Sequence, residues 1–116
     1  MLTDVNINNI YFYKGHIDMR KGINGISILI ANHLGRNPQS GDLYIFSNRV
    51  KDKIKCLFWH NNGFAILYKQ LESGRLKFCK EIDDEIVITH QQLSALLMGF
   101  DFTKFDKKIM PKYENY

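Results

Sequence analysis

Apolar positions early in the chain pass from a short β-branched and aromatic block to a helical spacing, and that switch predicts the first two elements. Ile10-Tyr11-Phe12-Tyr13 has the composition of a strand. Gly15 and His16 then turn the chain. Beyond them Met19, Ile23, Ile26, Ile30 and Leu34 recur at three- and four-residue intervals, so they share one face of a helix over 19–34. Asp18 is its expected N-cap and Gly35 its stop. Local stability leaves two features of this helix unexplained. Gly22 and Gly25 cost about 1 kcal/mol each relative to Ala inside a helix, a penalty tolerated where another backbone must come close. Arg20 and Lys21 fall in the first turn, where the helix dipole disfavours positive charge.

From residue 43 the period falls to two. A strand over 43–46 follows the loop 36–41 with its Pro38 and Gly41, and a polar, basic connector spans 47–52. Over 53–60, Ile54, Cys56 and Phe58 alternate with Lys53, Lys55, Leu57 and Trp59, which assigns the two sets to opposite faces. Asn62-Gly63 predicts a two-residue type I′ hairpin into a strand over 64–69. Glu72-Ser73-Gly74 turns the chain into a strand over 75–79, and 86–88 forms a further short strand after an acidic run. Thr89 and Gln92 have the spacing of a capping box and open a helix over 91–99. The predicted class is α+β, an antiparallel β-meander of three to five strands flanked by an N-terminal and a C-terminal helix. It forms a single domain over 1–102, followed by a basic and aromatic tail over 103–116.

Composition supports an ordered chain. With 116 residues, 45% hydrophobic and 24% charged, it suits one domain with a core of its own. Met1 to Asn9 hold no basic segment followed by an apolar run, so no signal peptide is expected. No apolar stretch approaches the ~20 residues of a membrane span. The cytoplasm is the expected location. Cys56 and Cys79 lack the spacing of a disulfide framework or metal site and are expected as buried, reduced thiols.

Charge changes the picture more. The net charge is +4, but it is segregated along the chain. Arg49, Lys51, Lys53, Lys55, Lys69, Arg75, Lys77 and Lys80 face only Asp52 and Glu72 in that stretch, and the acidic run Glu81, Asp83, Asp84, Glu85 follows. A segregated positive field concentrates polyanions near it. Lys53, Lys55 and Trp59 share one strand face, with Lys69 and Arg75 on neighbouring segments. Phosphate contacts from such a set give sequence-independent affinity, and Trp59, Tyr68 or the tail aromatics offer stacking surfaces for unpaired bases. The competing reading is a solvated charged face with Trp59 in the core.

Catalytic chemistry finds little support. Metal-dependent strand transfer needs carboxylates converging from separated strands, whereas the densest acids here, at 81–85, are contiguous. His16, His33, His60 and His90 show no ligand spacing, so neither metal nor cofactor is expected. His16, near Asp18 and Arg20, is the one acid–base candidate, and a hydrogen-bonded turn residue is the simpler account of it. The chain carries no phosphate-binding glycine loop and no nucleophile elbow.

The segment Gly15-His16-Ile17-Asp18-Met19-Arg20-Lys21-Gly22, followed by Asn24-Gly25, closely resembles a G-x-T-D-M-R-K-G-x-D-G signature. It belongs to the TnpB accessory proteins, the second-open-reading-frame products of bacterial insertion sequences of the IS-sixty-six type. Similarity continues through Ser40-Gly41-Asp42-Leu43-Tyr44-Ile45-Phe46-Ser47-Asn48-Arg49, Lys53-Ile54-Lys55, Trp59, Gly63-Phe64, Leu67-Tyr68-Lys69 and Leu71-Glu72-Ser73-Gly74-Arg75. It ends in an L-x-x-L-L-x-G-x-D pattern at 93–101, so it covers about 11–102. The much larger RNA-guided nuclease that shares the TnpB label is unrelated. The chain departs from the family at His60, where an aspartate is usual, at Ile17 in place of threonine, and at Arg75-Leu76-Lys77-Phe78-Cys79 in place of R-F-x-W-P.

The resemblance implies a non-catalytic accessory protein for transposition that assists a separate DDE transposase. In the leading reading it binds DNA at the ends of the insertion sequence through Arg20, Lys21, Arg49, Lys53, Lys55, Lys69 and Arg75, with Trp59 in support. In the alternative it docks on the transposase without touching DNA. Within the motif residues Gly15, His16, Asp18, Met19, Gly22 and Gly25, the stretch Asp18-Met19-Arg20-Lys21-Gly22 would then be part of the interface, with Gly22 and Gly25 permitting close approach of a helix. An enzyme built on His16 and Asp18 is the weakest reading, because no nucleophile or metal set converges on them.

Overall fold

The computed structural model describes residues 7–104. Its five strands are β1 (Ile10–His16), β2 (Leu43–Ser47), β3 (Lys53–His60), β4 (Gly63–Gln70) and β5 (Glu85–Ile88). They form one sheet in the order β4-β3-β2-β1-β5. All five residues of the middle strand β2 are buried. A strand covered on both faces reads as a continuous apolar run rather than an alternating one, and Leu43-Tyr44-Ile45-Phe46 is such a run.

Two half-cores result. On one face Ile10, Phe12, Leu43, Ile45, Ile54, Cys56 and Phe58 pack under helix α2 (His90–Leu97), the extended residues Leu76 and Phe78, and Phe102 of a short 3₁₀ turn. Phe12 holds that layer together, its ring edge-on to both Phe78 and Phe102 at 5.2 and 4.9 Å between centroids. On the other face Tyr44, Phe46 and Leu57 meet Ile17, Ile26 and Ile30. The last two come from helix α1 (Ile23–Ile28) and the π-helical turn Leu29–His33 that continues it.

The architecture is the α+β domain expected, with one refinement of topology. β2, β3 and β4 form the antiparallel meander, but β1 lies parallel to β2 and antiparallel to β5. Parallel neighbours need a long crossover, and the helix-containing connection between β1 and β2 supplies it. Arg36, just after that helix, donates to Glu85 at 2.6 Å and lies 4.0 Å over the Tyr11 ring, tying the crossover to β5.

Several local expectations shift. The helix begins four residues later than its apolar spacing predicts. Asp18 is no N-cap: its carboxylate accepts the Arg20 backbone N–H at 2.9 Å and holds a turn, and Gly22 is the N-cap. Arg20 and Lys21 therefore precede the helix rather than lie in its first turn. Nothing lies within 4 Å of a Cβ placed at Gly22, and one at Gly25 meets only the Lys21 side chain at 3.4 Å, so no other backbone segment of this chain packs against either glycine. Gly15 does require its smallness. It lies in β1 rather than in a turn, and a Cβ there would be 2.8 Å from the Tyr13 ring.

The hairpin turn is Asn61-Asn62, one residue earlier than expected. His60 pairs with Gly63, and only Asn61 has positive φ (56°), so it is not type I′. Residues 75–79 join no strand of the sheet, and Leu76 donates its N–H to the Lys51 carbonyl at 2.8 Å. The Thr89–Gln92 capping box forms as expected and Gly35 takes φ +65° at the end of the first helical stretch.

Cys56 is buried, and burial pushes its thiol up to about 12, whereas Cys79 is exposed, against expectation. Cys79 falls outside the alternation that buries Leu76 and Phe78. A chromogenic disulfide reagent at neutral pH should therefore titrate one thiol per native chain and two after denaturation. Two fast thiols in the native protein would contradict this packing.

Candidate nucleic-acid interface

Strand register decides which cations meet. β1 and β2 both end where β3 begins: His16 pairs with Ser47, Ser47 with Ile54, and Ile54 with Lys69. Lys53 opposes Gln70 at the same end. The turn carrying Arg49 joins β2 to β3 there, and the segment carrying Arg75 returns there through the Leu76–Lys51 bond. Arg20 and Lys21 arrive just past β1. Seven of the candidate cations, Arg20, Lys21, Arg49, Lys53, Lys55, Lys69 and Arg75, thus gather at one end of the sheet.

Trp59 does not join them. It lies six residues along β3 from Lys53, about 20 Å at ~3.3 Å per residue, beside the opposite hairpin and against Phe64 at 5.0 Å. An exposed aromatic side chain at the basic end is Tyr68, which opposes Lys55 in register and lies 5.7 Å from its ammonium.

The gathered cations are not equivalent. Lys55 sends its ammonium to the carbonyls of Met19 and Lys21, at 2.6 and 2.8 Å, and so holds the motif turn against the sheet. Lys69 donates to the Leu97 carbonyl at the end of α2. An ammonium carries three donors and bonds backbone oxygen strongly, so these two lysines serve first as braces. Lys53 pairs with Asp52 at 3.3 Å. Lys21, Arg49 and Arg75 are exposed, with side chains free of ion pairs among the described residues.

Two further braces escape sequence reading. Lys51, at positive φ (65°), donates to the carbonyls of Lys14 and Gly15 and to Ser47 Oγ at 2.8–2.9 Å, and burial lowers its pKa from the usual lysine range. Lys14 donates to the Ile82 carbonyl at 2.7 Å. Local spacing carries no signal for their bonds to backbone carbonyls, since each of those joins residues more than thirty positions apart.

Within the motif, Asp18 binds the Arg20 guanidinium at 2.6 Å on the surface. That hydrogen bond, then the Arg20 backbone N–H, holds the Asp18 carboxyl down at about 2. Met19 is half-buried on the α1 side of the sheet and His16 is exposed at the end of β1. The set can order a turn and present positive charge. Among the described residues no group of three or more His, Cys, Asp or Glu side chains could hold a metal ion, and no helix is long and apolar enough to cross a membrane.

Comparison with known proteins agrees with the motif. The family described as IS66 Orf2 like protein matches residues 8–107, and the chain belongs to that family. Two relatives from Sinorhizobium fredii (strain NBRC 101917 / NGR234) are similar. The uncharacterized protein y4jC is 30% identical over 92 residues, 79% of each chain. The uncharacterized protein y4hO is 30% identical over 93 residues, 80% of this chain and 81% of its own. No solved structure matches. The family makes this a transposition-related accessory protein of an insertion sequence, in a family with no known catalytic activity.

The Asp18–Arg20 pair has a pH signature. Because the folded pKa lies below the ordinary 3.8, its contribution to stability is full above that pH and is lost as pH falls toward 2. In a carboxyl-carbon NMR titration Asp18 should have its midpoint near 2, and Arg20→Ala should return it toward 3.8. An unchanged midpoint in the variant would contradict the pairing.

Proposed function

We propose that the chain is a non-catalytic DNA-binding accessory factor that engages the ends of its insertion sequence and assists a separate DDE transposase in the cytoplasm. The observation that carries this reading is the convergence of cations from three connections and from strands β3 and β4 on one end of the sheet. Arg20, Lys21, Arg49, Lys53 and Arg75 meet phosphates. Lys55 and Lys69 act mainly by fixing the backbone that presents them. The Arg20–Asp18 pair is exposed and the Lys53–Asp52 pair half-buried, and ion pairs open to solvent are weak, so a phosphate displaces the carboxylate at little cost.

A second reading, docking on the transposase without DNA contact, draws on Ile23 and Ile28, apolar side chains that α1 leaves exposed. Co-purification with the transposase that survives high salt and nuclease treatment, together with unmeasurable DNA affinity, would select it.

If about five phosphates are neutralised, log affinity for duplex DNA should fall with log salt at a slope of about −4.5. Replacing Lys21 and Arg49 together by Ala should flatten that slope by about 2. Affinity independent of salt in fluorescence anisotropy would remove the DNA-binding reading.

A further inference from the structure

A groove of about 400 Å³ opens on the α2 face of the basic end, between the 73–77 segment and the last turn of α2. Its two walls differ in chemistry. On one, Leu76 and Phe78 point into the core, so the intervening Lys77 and the preceding Arg75 point outward into solvent, and both line the groove. On the other, α2 ends in a doubly hydrogen-bonded cap: Gly99 donates its N–H to Leu96 at 3.2 Å and Phe100 to Ala95 at 2.9 Å, with Gly99 at φ +88°. This is the Schellman arrangement, in which the residue after the glycine ordinarily packs back on the helix. Here it does not. Phe100 is 54% exposed, and Met98, on the other side of the glycine, is 71% exposed. A fixed backbone turn therefore holds Met98 in water on the groove wall across from Arg75 and Lys77, with Phe100 exposed one residue beyond that wall.

Resting on the DNA-binding reading above, we infer that this groove seats unpaired nucleotides. Arg75 and Lys77 hold the phosphates, and the Met98-Gly99-Phe100 turn takes an unstacked base against its apolar side chains. Charge complementarity selects a polyanion for the cationic wall. The apolar wall selects a polyanion with exposed flat faces, which a closed duplex lacks and a gapped or frayed one offers. Lys69, bonded to the Leu97 carbonyl, keeps α2 at a fixed distance from β4, so the groove is preformed.

The test is fluorescence anisotropy with the full chain on two DNAs of equal length and sequence, one fully paired and one with a short single-stranded gap. The wild type should bind the gapped DNA about tenfold more tightly, in keeping with aromatic stacking on one base. Phe100→Ser and Met98→Ser should each lose most of that preference. Val87→Ser, which alters an exposed apolar side chain on β5 at the far edge of the sheet, should keep it. Equal affinity for both DNAs in the wild type overturns the groove assignment while leaving duplex binding standing. A preference that survives Phe100→Ser and Met98→Ser together overturns it as well. So does loss of transposase co-purification in those variants with the gap preference intact, which would make the turn a protein contact. No binding to either DNA defeats both this assignment and the reading it rests on.

Discussion

The bond between a lysine ammonium and backbone carbonyls organises the basic end of this molecule. Strand ends and turns leave carbonyl oxygens with no ladder partner, and a buried orphan acceptor is costly. Lys51 satisfies those of Lys14 and Gly15, and Lys55 those of Met19 and Lys21. Lys14 and Lys69 do the same for Ile82 and Leu97. Each brace crosses from one element to another, so the motif turn, the β2–β3 turn and the end of α2 are all fixed relative to the sheet. The presentation of the other cations depends on that.

Net charge alone therefore misjudges the surface. Part of the positive charge holds the scaffold, and part projects from it. Lys21, Arg49, Arg75 and Lys77 are exposed, on segments held by the braces or by the buried alternation of Leu76 and Phe78. Pre-fixed cations lose little conformational freedom on meeting a phosphate backbone, whereas cations on loose loops must first be ordered.

Much of the fold was legible because it is local. The period-two run at 53–60 fixed β3 and its two faces, and the Thr89–Gln92 spacing fixed the start of α2. What was not legible is tertiary. Nothing in the residues of β1 says that it pairs with β2 in parallel and with β5 on its other side. Asp18 suits an N-cap and a side-chain-closed turn equally well, and Arg20, by bonding its carboxylate, decides for the turn. Trp59 shares a strand face with Lys53, but the length of that strand separates them. The charged residues of the site could be named from sequence, while their division into braces and free heads could not. The family was legible from the motif at 15–25, whose chemistry the structure resolves into a closed turn pinned by Lys55.

Backbone amide shift mapping on a titration with short duplex DNA tests the central claim most directly. The account predicts changes concentrated at 15–21, 48–53 and 70–77, with the hairpin at 60–63 and strand β5 unmoved. Shifts centred on Trp59 and the hairpin, or spread evenly over the chain, would contradict it.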